Sequence, residues 1–197
     1  TLDRSSAASD VYKRQHGEMG IRTIVLVRHG EYRLDDGPDP GLTLLGQTQA
    51  RYCEVLLRRE KFSQIVTSSL VRARETCDAI VTPWKESAQV SDLLVEGVPT
   101  RVASLGVSSK QAAEDRARFD LAYGTFFAPS QLDRTDLLVC HGNLIRYLVS
   151  RALGVAPRIW TRFISNHCGI TRIVVRDTRM RVVSYNETAH LPADCIT

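Results

Sequence analysis

Two short apolar runs, far apart in the chain, end in the same dipeptide. Ile24–Val27 leads into Arg28-His29-Gly30, and Leu137–Cys140 leads into His141-Gly142. Runs of β-branched and apolar residues bounded by polar ones suit strands buried on both faces, which is the habit of parallel sheets. In open α/β sheets ligands sit at the carboxyl ends of the strands, near a switch in strand order. If the two strands are neighbours, both imidazoles face one crevice. Gly142 then opens a helix whose first backbone N–H groups face an anion. No apolar run here approaches the length of a membrane-spanning helix.

The remaining signals alternate. Residues 33–41 (RLDDGPDPG) are turn-forming. Thr43 is placed to N-cap a helix running to about Lys61, with Ala50, Cys53 and Leu57 on one stripe. Phe62–Thr67 reads as a strand and Leu70–Val81 as a helix, with Ala73, Cys77 and Ile80 at helical spacing. Residues 88–95 read as a third strand and 109–127 as a helix. A further helix runs through Ala152. Gly169–Val175 and Met180–Tyr185 read as a strand pair joined by a turn near Asp177. This order predicts an α/β fold: a single domain over residues 21–197, with a mostly parallel sheet flanked by helices on both faces. The first 20 residues are set apart as a non-native or disordered segment. Thr1–Gln15 is polar and aperiodic, resembles translated adapter read-through, and contains no apolar signal-peptide core. The chain starts without methionine and is read as a fragment.

Composition narrows the chemistry. The net charge of +4 is spread without a polybasic block, so no nucleic-acid partner is expected. The five cysteines contain no Cys-x-x-Cys pair, which argues against a disulfide framework or a zinc ribbon and for a reducing compartment. No metal and no cofactor are expected. Arginines far outnumber lysines, and arginine grips tetrahedral oxyanions with paired donors. Arg72 lies in the first turn of the helix after Ser68-Ser69 and reaches the same end of the sheet as Arg28, His29 and His141. Two guanidiniums and two imidazoles suit a phosphoryl group, where positioning and electrostatics supply most of the rate. Neighbouring cations hold an imidazole neutral and nucleophilic. Glu96, in a Glu-Gly-x-Pro loop, is the candidate acid for the leaving group.

The stretches LVRHGEY (26–32), LTLLGQTQA (42–50), TSSLVRARETCDAI (67–80), LLVEG (93–97) and LLVCHGNLIRYLVSRALG (137–154) resemble the histidine phosphatase superfamily, also called phosphoglycerate mutase-like. DLLVEGVP (92–99), CHGNLIRYLVSRAL (140–153) and LPADCIT (191–197) are most similar to its branch of mitochondrial Ser/Thr-protein phosphatases. The resemblance implies a phosphohistidine on His29, a phosphate pocket of Arg28, Arg72, His141 and Gly142, a proton donor in Glu96, and no metal. It implies a phosphoprotein or a small phosphomonoester as substrate. Mutases carry Trp-Asn after their RHGE, where Tyr32-Arg33-Leu34 stands here, so mutase activity is not expected. The mitochondrial proteins also have an N-terminal anchor and an aromatic-acidic multimerisation segment, and this chain shows neither. Location is left between cytoplasm and mitochondrion, and a homodimer is left open.

Competing readings exist. Cys140 to Arg146 fits the Cys-x5-Arg loop of cysteine-dependent phosphatases, but Tyr147 stands where those families place Ser or Thr. Cys140 is therefore read as a buried strand residue and Arg146 as a helix-surface residue. A catalytically silent phosphopeptide-binding scaffold is disfavoured by the presence of both His29 and Glu96. Asp35, Asp36 and Asp39 read as a solvated turn, and Arg74 as solvent-facing. His16, His167 and His190 read as structural or exposed, with His190 able to approach the cleft. Cys53 and Cys77 read as core filling.

Overall fold

A computed structural model describes residues 19–197. Most of the N-terminal segment set apart above, His16 included, lies outside the described residues. The strands are β1 (Ile21–Arg28), β2 (Gln64–Ser68), β3 (Gln89–Ser91), β4 (Arg134–Cys140), β5 (Ile170–Arg176) and β6 (Arg179–Glu187). The main helices are α1 (Leu44–Leu57), α2 (Val71–Val81), α3 (Ser109–Phe126) and α4 (Gly142–Ala152). They build one six-stranded sheet in the order β3-β2-β4-β1-β5-β6. The first four are mutually parallel, and β5 and β6 add antiparallel at one edge.

The alternation inside β1 and β4 feeds two cores. Ile24, Leu26, Leu138 and Cys140 face α3 and α4, where they meet Phe119, Leu144 and Tyr147. Val25, Val27, Leu137 and Val139 face α1 and α2, where they meet Ala50, Cys53, Cys77 and Ile80. Both faces are thus covered, which is why these strands read as unbroken apolar runs. Cys53 and Cys77 fill the core as expected, and Arg74 is exposed. Thr43 caps α1, its hydroxyl accepting from the Gly46 N–H at 3.1 Å.

Two expected elements come out shorter. The apolar run to Val95 does not continue as strand. The Ser91 hydroxyl takes the Leu93 N–H at 3.4 Å and starts a 3-10 turn over Asp92–Leu94 instead. Helix α1 stops at Leu57 rather than Lys61. Glu60 beyond it is held by Arg172 of β5 through two bonds of 2.9 and 2.7 Å, which draws the chain back to the sheet.

Candidate active site

Arg28 and Cys140 are paired across β1 and β4, so the next residues, His29 and His141, leave the sheet side by side. The His29 N–H donates to the Cys140 carbonyl at 2.9 Å. The two rings lie 5.0 Å apart between centroids, and both side chains are enclosed, at 1 and 0% exposure. Gly30 is required where it stands, because a Cβ there would come within 2.5 Å of the Gly46 carbonyl oxygen on α1.

The hydrogen bonds set the protonation of His29. Its Nδ1 lies 2.8 Å from the Gly30 carbonyl oxygen, which can only accept, so Nδ1 carries the proton. Nε2 then holds a lone pair and accepts from Arg72 Nε at 3.3 Å. Burial first, then His141 and Arg28, hold the His29 pKa well below the usual 6.5. A neutral imidazole with an unprotonated Nε2 is a nucleophile. His141 differs. Its Nε2 lies 2.8 Å from the Ser68 hydroxyl, while its Nδ1 is buried without a partner. Burial, then Arg72 and Arg28, keep it neutral too.

Arg72, in the first turn of α2, is buried. It lies under the Tyr32 ring at 4.7 Å and 3.6 Å from Asp39. Asp39 also accepts the Val71 N–H at 3.1 Å, so it is a helix-terminus partner rather than the solvated turn residue expected. Arg28 donates to the Ser165 carbonyl and approaches His167 Nε2 at 2.9 Å, and its Nε is buried and without a partner among the described residues. A buried donor of this kind is free to bond a ligand or a water.

Glu96 is partly buried, and its loop is pinned rather than loose. Arg118 of α3 donates to the Glu96 carbonyl at 2.9 Å, Asp115 accepts the Val98 N–H at 2.8 Å, and Asn143 donates to the Gly97 carbonyl at 2.8 Å. A Cβ on Gly97 would reach within 2.6 Å of Asp115. The Glu96 carboxylate accepts from Gly97 N–H at 3.1 Å and from Asn143 N–H, at the start of α4, at 3.5 Å. Burial raises its pKa, opposed in part by those two N–H groups and by Arg28 and Arg72. An acid so tuned holds its proton into a higher pH range than a solvated carboxyl.

Two sequence expectations change here, at His167 and at Arg146. His167 is no bystander, since its ring lies 5.5 Å from that of His29. Arg146 is not a free surface residue. It donates to the Gly142 and Phe163 carbonyls and to Asn143 Oδ1, and stacks 4.9 Å above the Trp160 ring. Cys140 points into the apolar core, where burial pushes its thiol up, away from the thiolate that a cysteine mechanism needs. His190 lies 3.4 Å from the Cys53 sulfur instead of reaching the cleft. Tyr32 and Ser68 are site residues that sequence reasoning missed. Among the described residues no cluster of three or more His, Cys, Asp or Glu could hold a metal ion, and no helix is long and apolar enough to cross a membrane.

Comparison with known proteins gives the family and the fold. Residues 24–134 and 127–188 match the profile of the histidine phosphatase superfamily (branch 1). The chain is 34% identical over 209 residues to the mitochondrial serine/threonine-protein phosphatase PGAM5 of Rattus norvegicus, covering 99% of this chain and 71% of that protein. Among solved structures, phosphoserine phosphatase from Entamoeba histolytica shares the fold with a TM-score of 0.69 at 20% identity, over 87% of this chain and 100% of that one. The alpha-ribazole phosphatase of Shigella flexneri does so with a TM-score of 0.69 at 18% identity, over 84% and 96%.

Proposed function

This chain belongs to the histidine phosphatase superfamily, and from that membership and the geometry at the ends of β1 and β4 we propose that it hydrolyses phosphomonoesters through a phosphohistidine on His29. The observation that carries the reading is the Nε2 lone pair of His29, held between Arg72, Arg28 and His141 with the Glu96 carboxyl at the edge.

In the first step His29 Nε2 attacks phosphorus. The N–P bond forms as the P–O bond to the leaving group breaks. Arg72 must exchange its bond to Nε2 for one to a phosphate oxygen. Arg28 Nε, His141 Nδ1 and the Gly142 N–H that opens α4 take the other oxygens and stabilise the charge that develops on them. Protonated Glu96 gives its proton to the departing alkoxide. In the second step the Glu96 carboxylate takes a proton from water as its oxygen attacks phosphorus, the N–P bond breaks, and His29 and Glu96 return to their starting states. Arginines supply the positive charge here, so turnover is expected to survive prolonged chelation and to be inhibited by vanadate.

Phosphoserine and phosphothreonine in proteins are the proposed substrates, on the strength of the 34% identity to a protein phosphatase. A panel of phosphopeptides, phosphosugars and nucleotides ranked by kcat/KM tests this. Phosphopeptides are expected to lead, and a lead by sugars or nucleotides would assign the chain to small-molecule hydrolysis. Absence of turnover of para-nitrophenyl phosphate would overturn the enzyme reading altogether.

A further inference from the structure

We propose that His167 is a positioning residue for Arg28, linking the phosphate pocket to Thr197. The proposal rests on the phosphatase reading above and adds a part to its site.

The bonding admits one arrangement. Arginine has no acceptor, so the 2.9 Å contact from Arg28 Nη2 runs from Arg28 to His167 Nε2. Nε2 is then unprotonated, and Nδ1 carries the proton. That N–H donates to the Thr197 hydroxyl at 2.9 Å. The His167 backbone N–H donates to the Thr197 carbonyl at 2.8 Å, so Thr197 is held at two points. The same hydroxyl accepts from Gln49 Nε2 at 2.9 Å, and Gln49 Nε2 also reaches the Cys195 carbonyl at 2.8 Å. Gln49 Oε1 takes the Glu31 N–H at 2.8 Å, two residues after His29. The chain of bonds thus leaves Arg28, passes through His167, Thr197 and Gln49, and returns to the segment that carries His29.

The loop bearing His167 is tied to β1 and β6 by hydrogen bonds. The Cys168 N–H is shared between the Arg28 and His29 carbonyls at 3.1 and 3.3 Å, and Asn186 exchanges two hydrogen bonds with Asn166. With one Nη on the Ser165 carbonyl and the other on His167, the guanidinium of Arg28 is fixed in orientation, and its unpartnered Nε remains for the ligand. The partner's chemistry matters. A carboxylate at this place would cancel the charge that must meet the phosphate. A neutral imidazole orients Arg28 and leaves its charge in place. Burial first, then Arg28, lower the His167 pKa to about 3, so the ring stays neutral at any working pH.

The test compares wild type with His167→Ala, His167→Gln and Thr197→Val, each also in an Arg28→Ala background, by kcat/KM on para-nitrophenyl phosphate and by titration with inorganic phosphate. Gln can accept from Arg28 through its amide oxygen. His167→Ala is expected to lose roughly 10–100-fold in kcat/KM and a similar factor in phosphate affinity, the scale of losing one oriented charged hydrogen bond. His167→Gln should recover most of that, and Thr197→Val should lose a few-fold. In the Arg28→Ala background His167→Ala should cost nothing more, because the residue it positions is gone. Full activity in His167→Ala, or an equal loss in both backgrounds, would overturn the proposal. If His167→Ala does not fold, His167→Gln at the level of Arg28→Ala would overturn it equally well. Wild-type protein that neither turns over nor binds phosphate would refute the phosphatase reading instead, so the two failures are distinct.

Discussion

The two ends of β1 and β4 handle charge in opposite ways. At the amino ends, Arg22 and Arg134 are paired across the strands and both grip Asp136. The bonds are 2.7 Å from Arg22 and 2.9 and 2.6 Å from Arg134, and Asp136 is 1% exposed. Every one of these charges has its partner. At the carboxyl ends, two arginines and two histidines converge. Their carboxylates, Asp39 and Glu96, stand at the rim, and Arg28 Nε and His141 Nδ1 have no partner among the described residues. A satisfied cluster holds the strands in register. An unsatisfied one costs stability and leaves donors free to bond a ligand. On the proposed reading, the same two strands carry structure at one end and chemistry at the other.

The comparison is broken most sharply by His29→Ala. Loss of a covalent nucleophile should cut kcat by roughly 10⁴–10⁶, while thermal unfolding stays at or above the wild-type midpoint. Cys140→Ser, by contrast, should keep the phosphoenzyme that rapid quenching traps as an acid-labile, base-stable adduct. An active His29→Ala with a dead Cys140→Ser would reverse the assignment.

Glu96→Gln should cost about 10²–10⁴ in kcat on a phosphoserine peptide, the usual range for general acid catalysis. It should cost far less on para-nitrophenyl phosphate, whose leaving group needs no proton. Equal losses on both substrates would move the acid role elsewhere, His141 being next. The pKa of Glu96 is raised, so wild-type activity should fall as pH rises through it, and the mutant should lose that limb.

At the other end, Asp136→Ala leaves the buried guanidinium of Arg22 and the part-exposed one of Arg134 without their counter-charge. It should destabilise the fold by about 3–5 kcal/mol in denaturant titration and leave kcat of the folded fraction near wild type. A large kcat loss at unchanged stability would erase the distinction between the two ends.

The smallest effect is in the pH dependence of stability. His29 and His141 are held neutral below the pH at which an unfolded histidine titrates, near 6.5. Below that pH the unfolded chain binds protons that the folded chain refuses. Stability should therefore fall as pH drops, by up to about 1.4 kcal/mol per pH unit for each histidine. Chemical denaturation at pH 7.5 and 5.5 measures it, and His29→Ala should flatten the slope. A slope unchanged in the mutant would mean that His29 is not kept neutral by the fold.

Periodicity and strand-end logic are enough to place Arg28, His29, Arg72 and His141 together. Each sits within a residue or two of an element end, and a parallel sheet gathers such ends at one edge. Local pattern also delivered both faces of β1 and β4 and the capped start of α1. What it could not deliver depends on contacts between distant segments. Leu93, Leu94 and Val95 look like strand, yet a serine hydroxyl diverts them into a turn. The Glu96 loop looks solvated, yet α3 and α4 pin it from both sides. His167 has no periodic partner, and its contact with Arg28 spans 139 residues. Sequence by itself determined which side chains stand at the strand ends, because backbone propensity and side-chain alternation act within a few residues. Only the tertiary structure decided the protonation of each imidazole and which donors stay unpartnered. Those depend on the orientation of carbonyls and side chains brought in from elsewhere by the order β2-β4-β1-β5.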